Sequence, residues 1–95
     1  MSKFREAARG QSCIRCSKDN GTIVLAHYTG ARRLSYGGGY GIKVNDLIGA
    51  HLCMDCHRYM DMVSRDKADK WKHSEEFLHL CMLTIIRLYE QGVIK

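Results

Sequence analysis

The sequence predicts a single small α+β domain over residues 1–95, a β-hairpin combined with a site helix and a C-terminal packing helix. Three observations carry this. Residues 22–27 (TIVLAH) form a β-branched, apolar run of the kind found in strands. Two Cys-x-x-Cys pairs, Cys13/Cys16 and Cys53/Cys56, bracket that run with one spacing. Residues 74–91 place apolar side chains over more than half of a helical circumference.

The elements follow in order. Lys3 to Arg9 reads as a short helix stopped by Gly10. Ser12 to Ser17 holds the first cysteine pair in a tight knuckle, and Asp19-Asn20-Gly21 is a turn signal. The strand Thr22–His27 follows, then a glycine-rich loop from Gly30 to Gly41, predicted to be mobile. Lys43 to Leu52 is expected to return as the second strand. A helix runs from the second knuckle to about Arg65, with Met60 and Val63 as apolar positions. Arg65 to His73 is polar apart from Ala68 and Trp71 and reads as a loop. Ser74 is the expected N-cap of the last helix, with Glu75 and Glu76 suited to its positive end and Gly92 as its stop. A helix as broadly apolar as this one is buried on several sides or forms a homodimer interface with a second copy.

Composition narrows the function classes. With 45% apolar residues the chain is too hydrophobic for a disordered one. Its net charge of +5 and pI near 9.1 favour an acidic partner, nucleic acid or an anionic surface. No segment approaches the roughly 18 consecutive apolar residues of a membrane-spanning helix. The first eleven residues carry Lys3, Arg5, Glu6 and Arg9 with no apolar core, so no signal peptide is expected and the chain is placed in the cytoplasm. There, paired cysteines are metal ligands more often than disulfides.

The two knuckles together predict a structural zinc ion. A two-residue gap lets both thiolates of a pair face one ion, and two pairs complete a tetrahedral shell with each sulfur about 2.3 Å from the metal. Cys81, alone within the last helix, reads as a small core residue. Cys53-Met54-Asp55-Cys56-His57 also matches the haem c attachment pattern. That chemistry normally requires export, and it leaves Cys13 and Cys16 unexplained.

The order of knuckle, strand ending in His27, loop, strand, knuckle, His57 and helix resembles the HNH, or ββα-metal (His-Me finger), endonucleases. Within them the chain is most similar to the phage and prophage nucleases of the YbcO family. The matching stretches are KFREAARG, VLAH at His27, NDLIGAHLCMDCH before the helix and YEQGVIK at the end. The resemblance implies a zinc-stabilised HNH-like core, a metal-dependent endonuclease in a bacterial host cell, and a nucleic-acid substrate, DNA first. It implies His27 as general base and His57 as a helix-borne ligand of a second, catalytic divalent ion, Mg²⁺ or another.

The chemistry accounts for these residue types. Phosphodiester hydrolysis needs a base to activate water and a cation to offset charge on the phosphate, and imidazole titrates near neutral pH. Asp61 follows His57 by one helical turn, on the same face, and completes the expected pair of ligands. Two positions depart from the family pattern. Many HNH enzymes carry a ligand just before the base, where this chain has Ala26, leaving Asp55, Asp46 and His51 as candidate donors. The family's central Asn falls on Ile48, with Asn45 and Asp46 nearby.

Arg32 and Arg33 on the loop and Arg58 beside His57 are the predicted phosphate contacts, with Arg15 and Lys18 flanking the first knuckle. Tyr36 and Tyr40 are candidate stacking residues, whereas Lys67, Lys70 and Lys72 alternate with acids and read as solubility charges. The competing function is a noncatalytic zinc module that binds DNA or a protein.

Overall fold

The computed structural model describes residues 3–39, 41–64 and 69–94. Along them the order is α1 (Lys3–Ala7), β1 (Val24–His27), a 3-10 turn (Arg33–Tyr36), β2 (Gly49–Leu52), α2 (Met54–Val63) and α3 (Lys70–Glu90). The result is a small α+β fold with one two-stranded antiparallel sheet and three helices among the described residues.

The hairpin pairs Val24 with Leu52, Leu25 with His51, Ala26 with Ala50 and His27 with Gly49. Directly opposite residues share a face and successive ones alternate. Ala26, Ala50 and Leu52 therefore turn to one side, where they join Met60 and Val63 of α2 and Phe77, Leu80 and Cys81 of α3 in a single buried cluster. The two fully buried alanines let the helices approach the sheet closely. Burial of Leu52, Met60 and Phe77 contributes about 1.5–3 kcal/mol each. Opposite His27, a Cβ on Gly49 would meet the Leu25 side chain at 2.7 Å, so a bare Cα keeps the pair close.

Both strands are shorter than the sequence suggests, and local side-chain bonds explain this. The first was expected from Thr22, but the Thr22 N–H and hydroxyl both donate to Asn20 Oδ1, at 3.1 and 2.6 Å. The second was expected from Lys43. Instead Asn45 Oδ1 accepts from Leu47 N–H at 2.9 Å, and its carbonyl accepts from Ile48 N–H at 2.9 Å. An Asx turn of this kind withdraws the backbone from the ladder. The glycine-rich loop also differs from expectation. Its 3-10 turn is tied back by Asn45 N–H to Tyr36 C=O at 2.9 Å, and the Tyr36 ring packs edge-on to Tyr28 with centroids 5.9 Å apart. Tyr36 is thus a packing residue. Tyr40 lies outside the described residues.

The largest correction concerns Ser74. It does not cap α3, which begins at Lys70 after Asp69; residues 65–68, expected to belong to the preceding loop, lie outside the described residues. Ser74 is buried and hydrogen-bonds the hydroxyl of Tyr28, itself fully buried against Phe77. That phenol also accepts from Arg32 N–H at 2.8 Å. A buried hydroxyl without partners costs roughly 1–3 kcal/mol, so Ser74 serves Tyr28 rather than the helix end. The other end agrees with expectation: Gly92 takes a left-handed φ of 79°, and Val93 N–H bonds the Leu88 carbonyl at 2.9 Å.

Candidate functional site

The two knuckles meet. The ligand atoms of Cys13, Cys16, Cys53 and Cys56 all lie within 4.8 Å of one another. The Cys16 and Cys53 sulfurs are 3.7 Å apart, and tetrahedral coordination at 2.3 Å would space sulfurs by about 3.8 Å. The four free cysteines could therefore hold a metal ion such as zinc. Backbone bonds fix this arrangement. Ser17 adopts a left-handed φ of 68°, closing the first knuckle with Ser17 N–H on the Cys13 carbonyl at 2.8 Å. Ile14 N–H donates to the His51 carbonyl at 2.8 Å, fastening that knuckle to β2. The second knuckle is the start of α2, where Thr22 Oγ1 accepts from Met54 N–H at 3.2 Å.

The thiols differ electrostatically. Burial pushes Cys13 up, but N–H donation from Cys53, Cys16 and Arg15 outweighs it and holds that thiol at about 6. Burial raises Cys56 to about 12; Arg15 opposes the rise, while the other three cysteines reinforce it. Arg15 is the cation of this centre. Its guanidinium lies 3.5 Å from Cys56 Sγ, 3.3 Å from Glu76 and 4.3 Å from the Tyr59 ring centroid. It was expected on the phosphate-binding surface, but its contacts are with Cys56, Glu76 and Tyr59. The sign in the sequence was its place inside the knuckle, Cys-Ile-Arg-Cys.

His27 ends β1 with its side chain 11% exposed and its Nε2 2.7 Å from Asp46 Oδ1. An ionised carboxylate only accepts, so Nε2–H donates and Nδ1 carries the lone pair. Arg5 approaches the same carboxylate oxygen at 3.4 Å. Asn45 and Asp46 thus divide the work near the expected central Asn: Asn45 braces the turn and Asp46 orients the histidine. Ala26 is buried in the core and offers no ligand.

On α2, His57 Nε2 and Asp61 Oδ2 are 3.3 Å apart and both partly exposed. Each side chain offers one potential ligand atom on the same helical face. The four cysteines are the only cluster of three or more potential ligands among the described residues. The other candidate donors are engaged elsewhere. Asp55 lies 3.9 Å from Lys18. His51 is fully buried, its Nδ1 3.2 Å from Arg87; burial first, and then that guanidinium, hold it neutral with a pKa of about 4.

Two grooves are lined by His27, and neither is lined by His57 or Asp61. The nearest link is Ser64 at the end of α2, which lines one of them and whose Oγ donates to the Asp61 carbonyl at 2.9 Å. Arg33 lines that groove too. Arg32 instead lies 5.5 Å over the Trp71 ring, and Arg58 is exposed beside Met54. Cys81 is a buried core residue, as expected.

The profile of a protein family described as "Putative nuclease YbcO" matches residues 2–93, nearly the whole chain. The chain belongs to the YbcO family. No curated protein and no solved structure matches it. No helix among the described residues is long and apolar enough to cross a membrane.

Proposed function

We propose that this YbcO-family chain is a single-domain, metal-dependent endonuclease of HNH type that hydrolyses phosphodiester bonds in DNA, in the cytoplasm of a phage-bearing bacterial cell. The observation that carries the reading is the His27–Asp46 pair, with His27 lining two grooves that also carry Arg and Lys side chains. Asp46 holds His27 in one tautomer, and Nδ1 takes a proton from water as the oxygen attacks phosphorus. The bond from phosphorus to the leaving oxygen breaks, that oxygen takes a proton from solvent, and the imidazolium is stabilised by the Asp46 carboxylate. His57 and Asp61 would hold the divalent ion, which when bound would supply positive charge to the phosphate. Cys13, Cys16, Cys53 and Cys56 would hold zinc and keep hairpin and helix together. Plasmid DNA incubated with the purified protein and Mg²⁺, Mn²⁺, Ni²⁺ or Zn²⁺ tests this. Cleavage by wild type and none by His27→Ala supports it. No cleavage with any metal, or equal cleavage by the variant, rejects it.

The separation of the His27–Asp46 pair from the His57–Asp61 pair favours a second reading, a noncatalytic zinc module that binds DNA. It expects salt-sensitive binding that survives His27→Ala, with no strand scission.

The remaining face of α3 suits a second copy of the chain. Trp71, Met82 and Tyr89 are 58%, 55% and 65% exposed, and with Leu78 they recur at a spacing that makes one stripe. Set antiparallel, two such helices bring Trp71 to Tyr89 and Leu78 to Met82, and Lys70 opposite Glu90.

A further inference from the structure

The two grooves at His27 share a second residue, Lys43, and differ in everything that matters for direction. One, of about 520 Å³, runs along β1 toward α1 and is lined by Arg5 and Arg9. The other, of about 390 Å³, runs toward the end of α2 and is lined by Arg33, Thr29 and Ser64. Among the described residues neither is lined by an Asp or Glu, and Lys43, Arg9 and Arg33 are exposed. Cationic side chains on both sides of a histidine, with Asp46 the carboxylate set against Arg5 and His27 between them, are the electrostatic form of a phosphate track. Among the described residues, the only tyrosine, tryptophan or phenylalanine lining either groove is Tyr28, which is fully buried. The arginines and lysine that line the grooves are suited to the sugar-phosphate chain, which carries no sequence information.

We propose that one nucleic-acid strand lies through both grooves, its phosphates on Arg5 and Arg9 to one side of His27 and on Arg33 to the other, with Lys43 at the junction. This deepens the nuclease reading and rests on it for the meaning of His27, while strand binding itself does not depend on cleavage. Arg5 has a second duty, since it also braces the Asp46 carboxylate. Arg9 and Lys43 are the cleaner probes. Binding along this path is insensitive to sequence and steeply dependent on salt.

The test is fluorescence anisotropy with a labelled 20-nucleotide single strand and with the matching duplex, using His27→Ala so that the nucleic acid stays intact. Arg9→Gln, Lys43→Gln and Arg33→Gln each weaken binding about 3- to 10-fold. Each also reduces the slope of log affinity against log salt by about 0.7 on the single strand and 0.9 on the duplex. Lys72→Gln, on exposed α3 away from both grooves, leaves affinity and slope unchanged. The stronger of the two probes identifies the strand as isolated or as half of a duplex. If binding persists and the three variants leave it unaltered while melting like the parent, the track is wrong and the nuclease reading stands. If wild type cleaves no DNA and the protein binds neither probe at low salt, both fail together.

Discussion

His27 and Asp46 meet side chain to side chain at 2.7 Å, although 19 positions separate them in the chain. The contact selects the tautomer of the histidine, because the carboxylate can only accept. Asp46→Asn removes that selection while keeping the shape. An amide can donate as well as accept, so Nε2 no longer has to carry the proton. The expected outcome is a fall in kcat of roughly 10²- to 10⁴-fold, the contribution of a positioned general base. KM for DNA and the melting temperature should stay near the parent values. Single-turnover cleavage beside an anisotropy titration separates the two effects; unchanged kcat would remove Asp46 from the mechanism.

Two metals should be distinguishable by what their loss does. An ion held by the four thiolates would join the loop before β1 to the start of α2, so its removal would expose the core between them. Cys13→Ser or Cys53→Ser, or a strong chelator, should abolish the cooperative melting transition and far-ultraviolet helicity. His57→Ala should retain one zinc per chain and an ordinary melt, yet lose cleavage. Metal content by elemental analysis, read with circular dichroism, decides between the outcomes.

Arg15 supplies the only guanidinium 3.5 Å from Cys56 Sγ among the described residues, and Cys56 first, then Glu76, hold its pKa above the ordinary value against burial. Four thiolates around a divalent ion carry a net negative charge, which Arg15 offsets at short range. Arg15→Met keeps an unbranched apolar side chain and deletes the charge together with the guanidinium's place over Tyr59. Zinc affinity should fall about 10- to 100-fold, the usual effect of losing a group that supports metal ligands. Competition with a chromophoric chelator measures it.

Gly30 is a steric prediction. A Cβ there would lie 2.6 Å from the Tyr28 ring, and that ring cannot withdraw without losing Ser74 and the Arg32 N–H. Gly30→Ala should cost about 1–3 kcal/mol by overpacking. Denaturant melts of the zinc-loaded protein check the figure. Tyr28→Phe should also destabilise, because Ser74 and the Arg32 amide then lose a partner.

The two knuckles, the strand ending at His27 and the pairing of His57 with Asp61 were legible because each is local or depends on fixed spacing. What escaped depended on contacts across the chain. Ser74 reads as a cap from its neighbours Glu75 and Glu76; only the fold brings Tyr28 to it. Asp46 reads as one of several acids near a missing Asn, and the Asx turn at Asn45 is what aims it at His27. The strand limits were overestimated because Asn20 and Asn45 draw the adjoining backbone into turns, a competition that apolar patterning does not register. Arg32 and Arg33 look equivalent in sequence, yet one lies over Trp71 and the other lines the groove at His27.

The exposed stripe on α3 gives the last prediction. Phe77, Leu80, Cys81, Thr84 and Leu88 turn inward and are buried, while Met82 and Tyr89 stand outward on the same helix. In the proposed dimer an antiparallel copy would cover the second apolar side, with Lys70 facing Glu90. Met82→Glu places two carboxylates near the centre of that seam, where like charges without water repel. Sedimentation should show wild type as a dimer at micromolar concentration and Met82→Glu as a monomer that still holds zinc. Glu90→Lys should weaken the dimer alone, and adding Lys70→Glu in the same chain should restore it. A monomeric wild type at the highest soluble concentration would leave this face without the partner assigned to it.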